Sequence, residues 1–355
     1  EHNSYRQAKK LNQKPHNKNL KYLQESHSEK LMENILEISR LKVYYNTALG
    51  YVRAVDDVDL AIKKGEIFGI AGESGCGKST LAKAILRLHS PSVYINGKVL
   101  FEGINLLTLD ENKMRKIRGR RIGYIPQSAM NSLNPIMRIK DQIVDAMEDH
   151  GLIKKNERKN IDSKIGELFE EIGLQKRWIN AYPHELSGGM KQRAIIACVL
   201  SLQPDVVIAD EPTTALDVVV QRGIIELLRN LRDKMNITLI IITHDMGVQA
   251  MLCDKIAIMY GGKIMEIAKV SECFNDPLHP YTKMLISAIP KLGVKEKLKF
   301  LSGSPPDLRN PPKGCRFYPR CPVAMEICKK KEPILEMVEP GRFISCHLYG
   351  KGANS

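Results

Sequence analysis

The sequence predicts an α/β protein built around a parallel β-sheet, and two observations support this prediction. First, an apolar run at residues 67–71 leads into a glycine-rich loop and then into a helical pattern. Second, strand patterns at residues 205–209 and 237–243 are separated by a helical pattern near residues 224–231. Strand, helix and strand in this order are typical of strands that pair in parallel.

The composition is that of an ordinary globular protein. The 355 residues are 43% hydrophobic and 26% charged, which allows a sizeable core and argues against wholesale disorder. No apolar run approaches the roughly 18–20 residues that a membrane-spanning helix needs. We therefore do not expect the chain to be a channel or a permease.

The charge balance is strongly basic. Lys and Arg total 54 against 40 Asp and Glu, which gives a formal net charge of +14. Such a surplus suggests an anionic partner, namely a nucleotide, a nucleic acid or the negative face of a membrane, without choosing among them. The polar N-terminus lacks the apolar segment of a secretory signal. We expect residues 1–31 to be a disordered leader or a remnant of cloning.

The remaining elements follow in chain order. Short strand patterns with turn residues run from residue 35 to residue 65. Apolar residues then recur at helical spacing between residues 131 and 182, which predicts an inserted helical region. Past Pro290 the composition shifts to Pro, Gly, Lys and Cys. This shift predicts that the main domain spans residues 32–290 and that residues 291–355 form a separate small module.

The glycine-rich loop matches a phosphate-binding pattern. Residues 72–79, Gly-Glu-Ser-Gly-Cys-Gly-Lys-Ser, fit G-x-x-x-x-G-K-[ST] between a strand and a helix. The glycines let backbone N–H groups wrap a phosphate, Lys78 adds a positive charge, and Ser79 can place its hydroxyl on Mg²⁺. Cys76 is expected to pack in the loop. A chance match in a glycine-rich turn is the alternative, and the strand–loop–helix context disfavours it.

A second chemical feature is the acidic pair that ends the apolar run at residues 206–211. Asp210 is placed to hold Mg²⁺, directly or through water, and Glu211 to polarise the attacking water as a general base. Many strands end at a solvated acidic turn, so this pair indicates a site only in combination with the phosphate-binding loop.

Further motifs resemble those of ABC ATPases across roughly residues 36–268. Residues 186–193, Leu-Ser-Gly-Gly-Met-Lys-Gln-Arg, resemble the LSGGQ signature, with Met190 where glutamine is usual. Gln127 resembles the Q-loop glutamine, and residues 215–217 resemble the D-loop. His244 resembles the switch histidine, for which the resemblance implies a contact with the γ-phosphate. Structural alternatives are a helix N-cap for Ser187 and a strand-end histidine for His244.

Tyr45 is the best match to the aromatic residue that stacks on adenine in this family, with Tyr44 as the alternative. The resemblance implies a P-loop NTPase of the ABC type, with a RecA-like parallel core, an antiparallel β-subdomain and a helical subdomain at about residues 128–190. It also implies that two subunits enclose ATP head to tail. In that arrangement the signature residues Ser187, Gly188 and Gly189 would contact the partner's γ-phosphate.

The resemblance assigns site residues one by one. The catalytic residues would be Glu211, His244 and Gln127. The residues that would bind ATP are Tyr45, Gly72, Ser74, Gly75, Cys76, Gly77, Lys78, Ser79, Thr80, Ser187, Gly188, Gly189, Asp210 and Asp217. The residues that would hold Mg²⁺ are Ser79, Gln127 and Asp210.

The C-terminal part narrows the resemblance. Residues 276–282 (Asp-Pro-Leu-His-Pro-Tyr-Thr), residues 303–306 (Gly-Ser-Pro-Pro) and a following cysteine cluster closely resemble the ATPase subunits of oligopeptide/dipeptide-type ABC importers. His279 lies between prolines and a tyrosine, and we expect it to be a packing and turn residue rather than a metal ligand.

The cysteine cluster consists of Cys315, Cys321, Cys328 and Cys346. Four thiolates can enclose Zn²⁺ or an iron–sulfur cluster, and gaps wider than those of structural zinc sites favour the larger group. The resembled family carries a [4Fe–4S] cluster on this kind of cysteine set. Zinc, free thiols and disulfides remain the alternatives.

The resemblance implies the ATPase subunit of a peptide importer, held at the cytoplasmic face of the cell membrane by permease subunits. A second ABC ATPase, identical or related, would complete the dimer, and an extracytoplasmic substrate-binding protein would act indirectly. Oligosaccharides and metal chelates stay open as substrates.

The alternative of another class is a soluble ABC ATPase that acts on nucleic acid. The single ATPase unit and the aromatic content of 6% disfavour it, so no nucleic acid is expected. A non-hydrolytic regulatory subunit is disfavoured by the intact Lys78, Asp210, Glu211 and His244.

Overall fold

The computed structural model describes residues 34–127, 129–154, 156, 161–289 and 303–349. The leader predicted at residues 1–31 lies outside these ranges. Within them the chain forms twelve β-strands and ten α-helices. The strands are β1 Asn34–Thr47, β2 Gly50–Lys63, β3 Ile67–Ala71, β4 Tyr94–Phe101, β5 Ile104–Asn105, β6 Ile122–Ile125, β7 Val206–Asp210, β8 Thr238–Ile242, β9 Lys255–Tyr260, β10 Lys263–Lys269, β11 Glu336–Glu339 and β12 Arg342–Ile344. The helices are α1 Lys78–Ile85, α2 Glu111–Ile117, α3 Ile139–Asp149, α4 Asp162–Glu171, α5 Gly188–Leu200, α6 Val218–Met235, α7 Met246–Leu252, α8 Val270–Asn275, α9 Pro280–Ser287 and α10 Glu326–Lys330.

The strands form two sheets. The smaller sheet has the order β2-β1-β4-β5, and its strands pair antiparallel. The larger sheet has the order β11-β12-β10-β9-β3-β8-β7-β6, in which β6, β7, β8, β3 and β9 run parallel. The parallel core and the antiparallel sheet expected from the sequence are therefore both present.

The central strands of the larger sheet are covered on both faces. Every residue of β3, β7 and β8 is buried, which explains why these strands read as continuous apolar runs. Ile67 and Ala71 of β3 belong to a core shared with helices α3 to α7. Phe68 and Ile70 point to the other face and pack in a core shared with α1 and the smaller sheet.

The helices that we predicted from the spacing of apolar residues are present in the inserted region. Helix α4 buries Ile165 and Phe169, and Ile172 follows at its C-terminal end and is also buried. These side chains share one core with α3 and α5. An amphipathic helix becomes stable by packing its apolar stripe in this way.

The C-terminal module that we predicted as a separate unit is not supported. Strand β12 pairs antiparallel with β10, and β11 pairs with β12, so this segment extends the larger sheet. Phe317 is fully buried in the same core as the parallel strands, and Arg342 forms a buried ion pair with Glu266 of β10. The proline- and glycine-rich composition of this segment therefore reflects its turns, and the segment packs on the core of the main domain. The predicted domain limits at residues 31/32 and 290/291 lie outside the described residues and remain predictions.

Candidate nucleotide-binding site

The predicted phosphate-binding loop joins β3 to α1, and two of its glycines leave no room for a side chain. Gly77 has a φ of 108°, and a Cβ there would lie 2.0 Å from the carbonyl oxygen of Ala54. A Cβ on Gly72 would lie 2.0 Å from the carbonyl oxygen of Met259. Glycine is thus required by both conformation and close packing at these positions.

Lys78 is buried inside the loop that it follows. Its Nζ donates hydrogen bonds to the carbonyl oxygens of Gly72 at 2.8 Å and Glu73 at 2.9 Å. Cys76 is buried beside this ammonium group, and burial raises the pKa of its thiol. A neutral thiol agrees with the packing role expected for Cys76.

The hydroxyl of Ser79 meets the first carboxylate of the acidic pair. Ser79 Oγ donates to Asp210 Oδ1 at 3.0 Å, and Tyr124 Oη donates to Asp210 Oδ2 at 3.1 Å. Burial raises the pKa of Asp210, although these two hydrogen bonds oppose the rise. An adjacent hydroxyl and carboxylate are hard oxygen ligands that fit Mg²⁺. The sequence did not reveal Tyr124, because no local motif marks a contact 86 residues away.

The carboxylate of Glu211 is held on several sides. His244 Nδ1 lies 2.7 Å from Oε1, while the hydroxyls of Thr214 and Thr243 donate to Oε2 at 2.9 Å and 3.1 Å. Burial alone would raise the pKa of Glu211, but the hydrogen bonds from His244 and Thr214 bring it below its ordinary value. Glu211 is therefore an oriented carboxylate that is ionised at neutral pH. The two threonines were not identified from the sequence.

The strand register explains why these groups meet. In the parallel sheet Ile125 pairs with Ala209, and Asp210 pairs with Ile242. Gln127, Glu211 and His244 each follow the end of one of these strands, so all three lie at the same edge of the sheet. Gln127 is exposed. This edge, at the carboxyl ends of the strands, is where open α/β sheets bind ligands.

The two tyrosines considered for adenine stacking have different surroundings. Tyr45 Oη lies 3.3 Å from Thr80 Oγ1 and 3.2 Å from His89 Nδ1, next to helix α1. The hydroxyl of Tyr44 donates instead to Asp56. Burial is the main cause that raises the pKa of Tyr44, and this hydrogen bond adds to the increase. The geometry favours Tyr45 as the residue near the loop.

The signature residues begin a helix. Ser187 is the N-cap of α5, and its Oγ accepts from the backbone N–H of Met190 at 3.4 Å. Asp217 caps α6 in the same way. Gly189 packs against Val220 of α6, where an added Cβ would lie 2.5 Å from Val220 Cγ1. The contact of this motif with a partner's γ-phosphate stays a prediction.

None of the four C-terminal cysteines is joined in a disulfide bond. Burial is the main cause that raises the pKa of Cys315 to about 12 and of Cys346 to about 11, and the neighbouring cysteines add to both increases. The backbone N–H of Cys315 donates to the carbonyl oxygen of Cys328 at 2.8 Å, so these two residues lie side by side. Nevertheless, no three His, Cys, Asp or Glu side chains in the described ranges are arranged to hold a metal ion. The iron–sulfur or zinc site predicted at these cysteines is therefore not supported by this geometry.

His279 has the packing and turn role that we expected. It is buried at the N-terminus of α9, where its Nδ1 accepts from the backbone N–H of Tyr281 at 3.0 Å. Burial lowers its pKa to about 3, so the ring is neutral. Among the helices of the described residues, none is long and apolar enough to cross a bilayer.

Comparisons with known proteins agree with this arrangement. A family model described as ABC transporter matches residues 55–214, and a model described as oligopeptide/dipeptide transporter, C-terminal region, matches residues 265–328. The dimeric structure of a post-hydrolysis state of the ATP-binding cassette MJ0796 bound to ADP and Pi superposes with a TM-score of 0.58 and 30% sequence identity. That match covers 66% of this chain and 98% of the other.

Two similar relatives are named as transport ATP-binding proteins. The dipeptide transport ATP-binding protein DppD of Caldanaerobacter subterraneus subsp. tengcongensis is 42% identical over 324 residues, which cover 90% of this chain and 99% of the relative. The oligopeptide transport ATP-binding protein OppD of Escherichia coli strain K12 is 42% identical over 313 residues, which cover 88% and 92%. These names do not support the nucleic-acid alternative. The chain belongs to the ABC ATPases, in the group of transport ATP-binding proteins that carries the oligopeptide/dipeptide transporter C-terminal region.

Proposed function

We propose that this chain hydrolyses ATP to power an ABC importer of dipeptides or oligopeptides through separate permease subunits. The observation that carries the proposal is the oriented carboxylate of Glu211, 2.7 Å from His244 Nδ1 and adjacent in sequence to the Ser79–Asp210 pair. The peptide class comes from the names of the relatives.

Each group of the site has a chemical task in this proposal. The loop amides and Lys78 bind the phosphates, and Tyr45 stacks on the adenine. Ser79 and Asp210 would hold Mg²⁺, with Gln127 at the same edge, and the ion would neutralise phosphate charge. Glu211 takes the proton from the attacking water. His244 orients that carboxylate and would contact the γ-phosphate.

The proposed partners follow from the same edge of the sheet. A second ABC ATPase would cover the nucleotide with its own signature residues, and residues 188–189 of this chain would serve the partner's nucleotide. The permease would dock near Gln127 and the helical region, where Ile136 is 83% exposed. Such docking would hold the chain at the cytoplasmic face of the membrane, with a substrate-binding protein acting on the far side.

A comparison of ATPase stimulation tests this function. The purified chain is assayed alone, with RNA or DNA, with proteoliposomes that contain the permease, and with empty liposomes as the control. We expect basal hydrolysis and stimulation by the permease-containing vesicles only. Stimulation by nucleic acid without any permease effect would contradict the transporter proposal.

The finer prediction for the four cysteines is a [4Fe–4S] cluster, with zinc as the alternative. The backbone contact between Cys315 and Cys328 supports it, whereas the arrangement of the described residues does not assemble a ligand set. Iron, acid-labile sulfide and zinc should be measured in protein purified without oxygen. About four irons and four sulfides per chain are expected for the cluster, and a preparation without either metal would contradict both predictions.

A further inference from the structure

The C-terminal segment reaches back to the phosphate-binding loop through an ion pair. Arg320 Nη1 donates to Glu73 Oε2 at 2.8 Å, and Nη2 donates to Glu73 Oε1 at 3.0 Å. The two side chains are 6% and 20% exposed. Such a two-point contact fixes the plane of the carboxylate as well as neutralising it.

Arg320 is itself held in place. Its Nη1 also donates to Tyr260 Oη at 3.2 Å, and its guanidinium lies 5.6 Å from the centre of that ring. Its backbone N–H donates to the carbonyl oxygen of Phe317, within the short turn that precedes Cys321. The guanidinium is therefore positioned by the fold before any ligand binds.

A second contact holds the main chain of Glu73. Its N–H donates to Tyr281 Oη at 3.0 Å, and the Tyr281 ring packs against those of Tyr260 and Phe317 at centroid distances of 4.6 Å and 5.2 Å. The carbonyl oxygen of Glu73 in turn accepts from Lys78 Nζ. Segments past residue 280 thus hold both the main chain and the side chain of one loop residue.

The charge of Glu73 makes this contact relevant to nucleotide binding. An unpaired carboxylate in a loop that wraps phosphates would repel the triphosphate, and low exposure would strengthen that repulsion. Arg320 cancels the charge and fixes the plane of the carboxylate. We propose that Arg320 is a positioning residue for ATP, which neutralises and orients Glu73 so that the loop can accept the triphosphate. This inference rests on the proposed function of the loop.

The test compares Arg320→Gln with wild type in ATP hydrolysis and in binding of a fluorescent ATP analogue. We expect the KM for ATP and the Kd of the analogue to rise about tenfold, with kcat within about twofold, because a lost binding interaction of this kind acts on KM. The double variant Glu73→Gln/Arg320→Gln removes both charges. Its KM is expected to return to within about threefold of wild type.

Arg309→Gln is the matched control. Arg309 belongs to the same C-terminal segment but pairs with Asp307 at the surface, so its loss should leave KM and Kd unchanged. If Arg320→Gln does not fold, Arg320→Lys takes its place, because it retains the charge without the two-point geometry. Its KM should rise above that of wild type, by less than the increase of about tenfold expected for Arg320→Gln.

Two results would overturn the inference. One is an Arg320→Gln variant with wild-type KM and Kd and only a lowered Tm, which would indicate a purely structural role. The other is a double variant as weak as the single one. Absence of hydrolysis in wild type would count against the proposed function instead, and the analogue Kd would still decide the role of Arg320.

Discussion

Substitution of Glu211 by glutamine is expected to leave ATP binding intact and to lower kcat by at least about 100-fold. Glutamine has nearly the same shape, so the hydrogen bonds from Thr214 and Thr243 can persist. An amide cannot take a proton from water, however, and the variant lacks the one ionised carboxylate that His244 orients. Single-turnover hydrolysis and binding of a fluorescent ATP analogue measure the two effects separately.

A surface glutamate provides the control for this variant. Glu226 lies on α6, is 62% exposed and pairs with Arg222 one turn away. Its replacement by glutamine removes the same charge and should leave kcat unchanged. If Glu211→Gln retained more than a tenth of the wild-type kcat, Glu211 would not be the base. A loss of nucleotide binding would instead indicate that the carboxylate shapes the site.

The parallel core could be predicted because its signal is local. Strands β3, β7 and β8 are buried on both faces, so each is a continuous apolar run that is visible without any partner. The residues that follow such strands must lie at one edge of the sheet. The phosphate-binding pattern and the resemblance to ABC ATPases grouped Asp210, Glu211 and His244 with the glycine loop, and this rule explains why they meet.

The contacts that could not be predicted join distant parts of the chain. Tyr124 and Asp210 are 86 residues apart, and Arg320 and Glu73 are 247 residues apart. Neither pair belongs to a local pattern, and Arg320 lies in a segment whose composition suggests an independent unit. The segment is nevertheless part of the main fold, because β12 pairs with the edge of β10. Composition is a good predictor of turns. It is a poor predictor of the core on which a segment packs.

Substitution of Lys78 by methionine is expected to weaken ATP binding by about 100-fold, which corresponds to about 2.8 kcal/mol. The ammonium group is buried, so methionine fills the stem volume but donates nothing to the loop carbonyls or to a phosphate. At an ATP concentration of about 100 times the wild-type Kd, binding should stabilise wild type by about 2.7 kcal/mol and the variant by about 0.4 kcal/mol. The rise in Tm on addition of ATP measures this difference.

A second buried lysine separates binding from stability. Lys263 is 8% exposed against 6% for Lys78, and its Nζ donates to the carbonyl oxygen of Asp56 at 3.0 Å and pairs with Glu332. Lys263→Met should lower the Tm without ATP, since it removes the ammonium group that lies 3.8 Å from the buried carboxylate of Asp56, yet keep the full rise in Tm on ATP addition. Lys78→Met should lose that rise. If both variants kept it, Lys78 would not bind phosphate; if both lost it, the effect would arise from general destabilisation of the loop.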